Sequence, residues 1–244
     1  MTRDYEEYLK DDNLHINWYP GHMKKTKEMV QNNLKLVDVV IELLDARIPL
    51  SSKNPEIDKL AQNKPRVVVL NKSDLSDKAK LNKWISYYQS KGIKAIPVDT
   101  LKGNGVNKIV EECKNATKEK MDALKEKGRK ERAIRVMIVG VPNVGKSSLI
   151  NKLTGRKSTQ TGDRPGVTKG KQWVRLKGNL ELLDTPGILW PKFEDQKIAL
   201  NLAFTGAIKD EVMDTEELAY RLVQRLQEYY PENLKERYKI EEIF

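Results

Sequence analysis

The sequence contains one cysteine, Cys113, and two histidines, and it has no long stretch of apolar residues. A single cysteine cannot form an intrachain disulfide or build a cysteine-based zinc site. No apolar run reaches the ~18 residues that a membrane-spanning helix needs, and the first ten residues, MTRDYEEYLK, are too polar for a secretion signal. Neither an amphipathic anchor nor a lipidation motif is evident. We therefore expect a cytoplasmic protein that does not bind a membrane.

Positive charge is in excess, because 45 Lys and Arg residues face 35 Asp and Glu residues, for a formal net charge of +10. This charge favours a polyanionic partner such as RNA, DNA or an anionic membrane. A charge-rich soluble protein without such a partner has a similar composition, so charge alone leaves the choice open. The basic residues cluster near the N-terminus, in the segment 114–133 and in the last predicted helices.

Alternation of β-rich runs and amphipathic helices predicts an α/β fold with a doubly wound parallel sheet. The predicted strands are the apolar runs 36–46, 67–70, 93–98 and 134–140, with two further strands within 173–184. A helix is predicted at 78–91, and another begins at Lys146. The segment 114–133 has almost no large apolar residues and is predicted to be a solvated helix or a linker. From residue 191 the pattern is helical, which predicts a separate small all-α domain.

A glycine-rich loop follows the strand 134–140. Its sequence, GVPNVGKS from Gly140 to Ser147, fits the pattern GxxxxGK[ST] between a buried strand and a helix. Glycine lets the main chain curl so that successive N–H groups face a phosphate, and the following helix adds its positive end. Lys146 is expected to bridge the β- and γ-phosphates, and the Ser147 hydroxyl to bind Mg²⁺. The residues expected to contact the nucleotide here are Asn143, Val144, Gly145, Lys146, Ser147 and Ser148.

A base-reading motif, Asn71-Lys72-Ser73-Asp74, follows the strand 67–70. The Asp74 carboxylate is expected to accept hydrogen bonds from guanine N1–H and the exocyclic amine. Adenine does not offer this pair of donors, so the motif favours GTP and GDP over ATP. Asn71 is expected to tie this loop to the phosphate loop, and the stem of Lys72 to lie over the base. The same four residues also form ordinary turns, and only the phosphate loop elsewhere in the chain makes the motif strong.

Two further segments have the spacing of nucleotide-sensing loops. Asp184-Thr-Pro-Gly187 follows the last predicted strand, and Thr168 lies between it and the phosphate loop. Asp184 is expected to hold Mg²⁺ through water, Thr168 to complete the Mg²⁺ shell, and the Gly187 N–H to sense the γ-phosphate. Loss of these contacts on hydrolysis would release both loops.

The order of these motifs, with the base-reading motif before the phosphate loop, resembles circularly permuted GTPases. WYPGHMKKT near the N-terminus and DARIPLSSKNPEID after the first strand make the chain similar to the ribosome biogenesis GTPase A family over about residues 14–230. The resemblance implies a Ras-like, circularly permuted P-loop GTPase domain over 1–190 and a C-terminal helical RNA-binding domain over 191–244. That helical domain is expected to be incomplete, because the chain ends earlier than the family pattern.

The same resemblance implies an activity and partners. It implies a GTPase that acts in late assembly of the large ribosomal subunit, binds the rRNA of that subunit and is stimulated by it. GTP or GDP, Mg²⁺ and K⁺ are the expected cofactors, and we expect a monomer.

Two positions depart from the family's pattern. Asp99-Thr100 stand where the Ser-Ala of the fifth motif is expected, and a main-chain contact with guanine O6 is still expected there. Ile188 stands directly after Gly187, where many GTPases have a Gln that orients the attacking water, and an isoleucine side chain cannot form that hydrogen bond. The resemblance implies that His22, in the segment PGHM, orients the water instead; a surface or capping histidine is the alternative.

Asn143 occupies the phosphate-loop position at which potassium-dependent GTPases carry asparagine. Its side-chain oxygen is expected to bind K⁺ against the α- and γ-phosphates, where the ion supplies the charge of an arginine finger. A hydrogen bond that stabilises the loop is the structural alternative.

Two functions are compatible with these residues. The first is a GTPase coupled to maturation of the large subunit. The second is a binding module in which the nucleotide switches affinity for another RNA, a protein or a membrane, and in which hydrolysis is incidental. Ile188 favours the second, whereas the basic charge and the segment WYPGHM favour the first. A P-loop kinase of a small metabolite does not account for NKSD and DTPG together.

Overall fold

The computed structural model describes residues 23–61, 64–155, 173–183, 195–208 and 214–241. These residues divide into two compact units, one within Tyr19–Pro191 and one within Lys192–Phe244. The first contains every described strand, and the second is helical. Among the described helices, none is both long enough and apolar enough to span a bilayer.

A six-stranded sheet organises the first unit, in the spatial order β3-β2-β1-β4-β6-β5. Five strands run parallel, and β5 pairs antiparallel with β6. The α/β fold predicted from the sequence is confirmed, with a parallel sheet that carries one antiparallel edge strand. The bounds are β1 Val39–Asp45, β2 Arg66–Asn71, β3 Lys94–Val98, β4 Ile134–Gly140, β5 Trp173–Leu176 and β6 Leu180–Leu183.

The central strands read as continuous apolar runs because both of their faces are covered. On one face, Val40 of β1 packs with Val30 and Ile57 from the first two helices of the unit. Leu44 of β1, which points to the same side as Val40, packs with Tyr88 of the third helix. Side chains that point the other way, such as Ile41, are also fully buried.

One helix precedes β1, and four helices and one 3-10 turn connect the strands. The helices are α1 Met23–Leu34, α2 Pro55–Leu60, α3 Lys78–Ser90, α4 Val106–Glu126 and α5 Lys146–Thr154, and the 3-10 turn is Ser73–Leu75. Asn54 accepts the Glu56 N–H at 2.9 Å, which caps α2. Asp77 accepts the N–H groups of Ala79 and Lys80 and caps α3.

The segment 114–133, predicted to be a solvated helix or a linker, contains both. Residues 114–126 are the second part of α4, and most of their side chains are exposed. Cys113 and Thr117 are buried on the inner face of this helix. Residues 127–133 have no regular structure and lead into β4.

The second unit contains the helices α6 Gln196–Phe204, α7 Thr215–Tyr229 and α8 Pro231–Tyr238. Asp195 and Asp214 cap α6 and α7 by accepting main-chain N–H groups of the first turns. Leu202 of α6 and Leu234 of α8 are buried, whereas α7 has no buried residue. The predicted helical pattern after residue 191 agrees with these elements.

A buried carboxylate, Asp38, links the residue before β1 to the start of β4 through hydrogen bonds. Asp38 is 2% exposed and accepts hydrogen bonds from Arg132 Nη1 at 2.7 Å, Lys120 Nζ at 2.7 Å and the Arg135 N–H at 2.9 Å. Burial alone would raise the pKa of Asp38, but these bonds offset burial and hold it well below the usual range. Lys120 and Arg132 therefore form ion pairs with Asp38 within the protein, although in the sequence they belong to the basic cluster in the segment 114–133.

We expect Asp38→Asn to lower the free energy of unfolding by about 1–3 kcal/mol, because it leaves the buried donors around this position imperfectly paired. The loss is moderate since Lys120 and Arg132 are 46% and 37% exposed, so water screens part of the interaction. The folded pKa of Asp38 is depressed, so its stabilisation is full above the unfolded value of about 3.9 and is lost as the pH falls below it.

Urea unfolding of wild type and Asp38→Asn between pH 7 and pH 3 measures this difference. The gap between the two proteins should be widest near neutral pH and should narrow below about pH 4. Asp122→Asn, at an exposed site on α4, is the matched control and should unfold like wild type. A gap that stays constant across this range would contradict the role assigned to the Asp38 charge.

Candidate functional site

Polar residues follow the carboxyl ends of four neighbouring parallel strands, which meet at one edge of the sheet. β1 ends at Asp45, β2 ends at Asn71 and β4 ends at Gly140, while Asp99 directly follows β3. Ligands of open α/β sheets bind at this edge, in the crevices between the loops that leave the strands. The described part of the expected nucleotide site therefore lies here.

Asn71 joins three of these loops through its side-chain amide. Its Nδ2 donates to the main-chain oxygen of Val144 in the phosphate loop at 2.8 Å. Its Oδ1 accepts from the hydroxyl of Thr100 at 2.5 Å and from the Thr100 N–H at 3.3 Å. Asn71 is 2% exposed, so both ends of the amide are paired away from water. The structure thus brings together the two motifs that lie about seventy residues apart in the sequence.

Lys72 makes a second connection between the same two motifs. Its Nζ donates to the main-chain oxygen of Asn143 at 3.0 Å and forms an ion pair with Asp45 Oδ2 at 3.1 Å. Lys72 and Asn143 both have left-handed backbone conformations, with φ of 59° and 56°. The two loops are therefore bent at the residues that contact each other.

Asp45 was not predicted from the sequence as part of the site. It is 2% exposed and accepts three hydrogen bonds from Arg47, the shortest at 2.7 Å. Burial alone would raise the pKa of Asp45, but Arg47 and the charge of Lys72 lower it below the usual value. The carboxylate is ionised at neutral pH and holds Lys72 in position. Its place at the carboxyl end of a fully buried strand is the signal that could have revealed it.

Arg47 extends this network towards Asp74. Its hydrogen bond to Asp45 raises the pKa of Arg47, and the charge of Asp74 adds to that effect. Asp74 itself is exposed in the 3-10 turn that follows β2. A negative charge at Asp74 is therefore available at the surface of the site, next to a fixed positive charge.

Close packing dictates glycine at position 145 of the phosphate loop. A Cβ on Gly145 would lie 2.3 Å from Asn71 Nδ2, and the residue has a φ of +101°. A side chain at this position would therefore displace the amide that joins the loops.

The phosphate loop leads directly into the first turn of α5, which begins at Lys146. Lys146, Ser147 and Ser148 are half-buried in that turn, and Asn143 is exposed before it. The side chain of Val144 is 1% exposed, so only its main chain can face a ligand. This curled loop at a helix N-terminus, with an amine and a hydroxyl beside it, fits a nucleotide phosphate with Mg²⁺.

Asp99 and Thr100 form a tight turn after β3. Asp99 Oδ1 accepts the Lys102 N–H at 3.0 Å, and Asp99 forms an isolated β-bridge with Asn104. Thr100 is directed to Asn71 by its hydroxyl and its N–H. The departure from the expected Ser-Ala pair thus supplies a donor that orients the base-reading loop.

Four of the predicted site residues lie outside the described residues. They are His22, Thr168, Asp184 and Gly187. Of the expected magnesium ligands, Ser147 alone lies within the described ranges. In those ranges no group of three or more His, Cys, Asp and Glu side chains could hold a metal ion. The roles of these residues stay predictions from the sequence.

Comparison with known proteins identifies similar chains. Residues 135–240 match a protein-family model described as 50S ribosome-binding GTPase. The chain is 53% identical over 228 residues to ribosome biogenesis GTPase A of Bacillus cereus, which covers 93% of this chain and 77% of that relative. It is 34% identical over 206 residues to the protein of the same name from Thermotoga maritima, with coverage of 84% and 71%.

A solved structure is similar as well. The crystal structure of GNP-bound YlqF from T. maritima superposes with a TM-score of 0.60 at 29% sequence identity, and it covers 90% of this chain and 78% of that one. The GDP-bound structure of the same protein gives a TM-score of 0.59 at 28% identity.

We expect Thr100→Val to weaken binding of a fluorescent GDP analogue by about tenfold, because Asn71 Oδ1 loses its hydroxyl donor and the amide is less firmly oriented. Thr100→Ser keeps the hydroxyl and is the matched control, with affinity close to wild type. In an Asn71→Ala background, Thr100→Val should have little further effect, since the acceptor is already gone. Equal affinities of the valine and serine variants would contradict this role of Thr100.

Proposed function

The chain belongs to the ribosome biogenesis GTPase A family, and from this membership we propose that it hydrolyses GTP during late assembly of the large ribosomal subunit. In this proposal the protein binds rRNA of that subunit, and the subunit stimulates hydrolysis. The observation that carries the proposal is the hydrogen bond from Asn71 to Val144, because it unites the guanine-reading and phosphate-binding loops in one site.

Binding of the phosphates is assigned to the loop before α5. Lys146 bridges the β- and γ-phosphates, while main-chain N–H groups from Asn143 to Ser148 surround the β-phosphate. Ser147, Thr168 and Asp184 hold Mg²⁺, directly or through water. Magnesium supplies positive charge that offsets the charge developing on the phosphate oxygens. The Gly187 N–H contacts the γ-phosphate, so that its loop is released after hydrolysis.

Reading of the base is assigned to the loops after β2 and β3. The Asp74 carboxylate accepts two hydrogen bonds from guanine, and the stem of Lys72 covers one face of the ring. The ion pair with Asp45 at 3.1 Å supports the role of Lys72, because it fixes the ammonium end of the side chain. Asp99 and Thr100 line the remaining side, with a main-chain contact to guanine O6.

Orientation of the attacking water is assigned to His22, since Ile188 cannot perform it. The N-terminal segment that contains His22 must be held next to the nucleotide before His22 can orient the water. A bound partner that positions this segment would therefore control the rate of hydrolysis. Stimulation by the large subunit follows naturally from such an arrangement.

Recognition of rRNA is assigned to residues 191–244 as the RNA-binding helical domain, with the GTPase domain in 1–190. Membership of the family supports this assignment, whereas charge does not, because residues 191–244 contain eight basic and twelve acidic residues. We propose a cytoplasmic monomer that acts on the ribosomal subunit and not on a membrane.

Hydrolysis of GTP with purified large subunits tests the proposal. We expect turnover in K⁺ buffer to rise at least about tenfold with large subunits and to remain unchanged with small subunits. His22→Ala should lose roughly 100-fold of the stimulated rate, because positioned groups of this kind contribute 10²–10⁴. Its affinity for a fluorescent GTP analogue should equal that of wild type. Equal stimulation by both subunits would contradict the proposed partner, and full turnover by His22→Ala would contradict its role.

A bound K⁺ gives a separate expectation. Asn143 has a φ of 56° and follows Pro142 at the exposed tip of the phosphate loop, where its side-chain oxygen can contribute to a cation site. Hydrolysis should be about tenfold faster in KCl than in NaCl of equal ionic strength, and Asn143→Ala should remove this difference. Identical rates of wild type in the two salts would remove K⁺ from the mechanism and leave the GTPase assignment intact.

A further inference from the structure

Positive charge in the first unit is concentrated on helix α3 and strand β3. Between Lys78 and Val98 the chain has five lysines and no acidic residue. Helix α4 also has five lysines, but it has five acidic residues among them. The two helices thus have the same number of lysines, and only α3 and the strand after it present a net positive charge.

Part of this charge lies on one face of α3. Lys80, Trp84, Tyr87 and Lys91 follow helical spacing of three and four residues, so they lie along one side of the helix and its C-cap. Lys83 is exposed on the same side, four residues before Tyr87. Lys94 points to the opposite face of the sheet, because its neighbours Ile93 and Ala95 pack with α3. Within the described part of the chain, Lys83, Lys91 and Lys94 form no ion pair with a carboxylate. Their charge is directed to solvent.

An aromatic ring is held in place among these lysines. Tyr87 is 48% exposed, and its ring contacts Trp84 edge-on at 5.6 Å and Tyr88 edge-on at 5.5 Å between ring centroids. Tyr88 is 2% exposed and belongs to the core, so the ring of Tyr87 rests on a fixed base. Lys91 Nζ lies 6.0 Å from the centroid of the Tyr87 ring. An exposed ring that is already ordered loses little entropy when a base stacks on it.

We propose that this α3 face, formed by Lys80, Lys83, Tyr87 and Lys91, binds a single-stranded stretch of RNA. The lysines contact backbone phosphates, and a base stacks on Tyr87. The inference rests on the proposal that RNA is the partner, and it adds a surface on the GTPase domain to the one assigned to the C-terminal helices.

The other exposed residues of α3 favour RNA over a membrane. None of them has a large aliphatic side chain; they are Lys78, Ala79, Asn82, Ser86, Gln89 and Ser90. A membrane-binding helix would place large aliphatic side chains on its exposed face to enter the acyl region. An RNA strand needs cations for its phosphates and a ring for its bases, and α3 offers both.

Two triple variants with the same change of net charge test the α3 face. K80Q/K83Q/K91Q neutralises it, and K108Q/K114Q/K118Q neutralises three exposed lysines of α4. The probe is a fluorescein-labelled 20-nucleotide oligouridylate, and its affinity is measured by anisotropy over a series of KCl concentrations. Unchanged GDP affinity of both variants establishes that they are folded.

We expect the α3 variant to bind the oligouridylate at least about tenfold more weakly than wild type at 0.1 M KCl. The slope of log affinity against log salt concentration should be shallower by about two, since three phosphate contacts are lost and each contributes about 0.7 on a single strand. The α4 variant should stay within about twofold of wild type. Tyr87→Ala should weaken binding by about tenfold with an unchanged salt slope, whereas Tyr87→Phe should bind like wild type.

Equal weakening by the two triple variants would overturn the inference, because affinity would then follow net charge alone. If the α3 variant loses binding to phosphatidylserine vesicles but keeps the RNA affinity of wild type, the inference is overturned and the α3 face binds a membrane. Co-sedimentation with large subunits separates the two proposals. If wild type sediments with large subunits and the α3 variant keeps full RNA affinity, only the role of the α3 face in RNA binding is contradicted. If wild type binds neither large subunits nor RNA, the proposed function is contradicted as well.

Discussion

The side-chain amide of Asn71 is the contact on which the arrangement of the three loops at this edge of the sheet depends. It is buried at the end of β2, where it accepts from Thr100 and donates to Val144. The main-chain N–H of Thr100 can only donate and the main-chain oxygen of Val144 can only accept, so together they determine which end of the amide faces the phosphate loop. Glycine at position 145 follows from the same contact, since any side chain there would collide with the amide nitrogen. One buried hydrogen-bonded group therefore specifies the neighbouring residues in three loops.

Much of the fold was predictable because its signals are local. The runs at β1, β2 and β4 are mostly apolar, and the phosphate loop and the Asn71–Asp74 motif each occupy a few consecutive residues. The carboxylates that organise the unit were not predictable in this way. Asp38 meets Arg132 and Lys120 from positions 94 and 82 residues away, and Asp45 meets Lys72 from the neighbouring strand. Until strand order is known, the sequence gives no reason to pair these charges.

The two long helices of the first unit illustrate the limits of composition. Lysines of α4 were counted with the basic residues of a linker, yet Lys120 is committed to Asp38 and the others lie among acidic neighbours. The lysines on one side of α3 were not predictable as a surface, because apolar core positions separate them in the sequence. Only the fold places them on one surface. Net charge therefore indicates the class of partner, while the arrangement of carboxylates decides which surface can meet it.

The position of β4 has a consequence for the chain as it is synthesised. β4 fills the centre of the finished sheet, where it pairs with β1 on one side and β6 on the other. The nascent chain, however, completes β1, β2 and β3 before β4 is made, so β1 is at first the border of a three-stranded sheet. At about 5–20 residues per second, its unpaired main-chain groups wait for a few seconds until β4 arrives. The permuted order thus turns an interior strand into a temporary edge, with the exposure to unwanted pairing that edges bring.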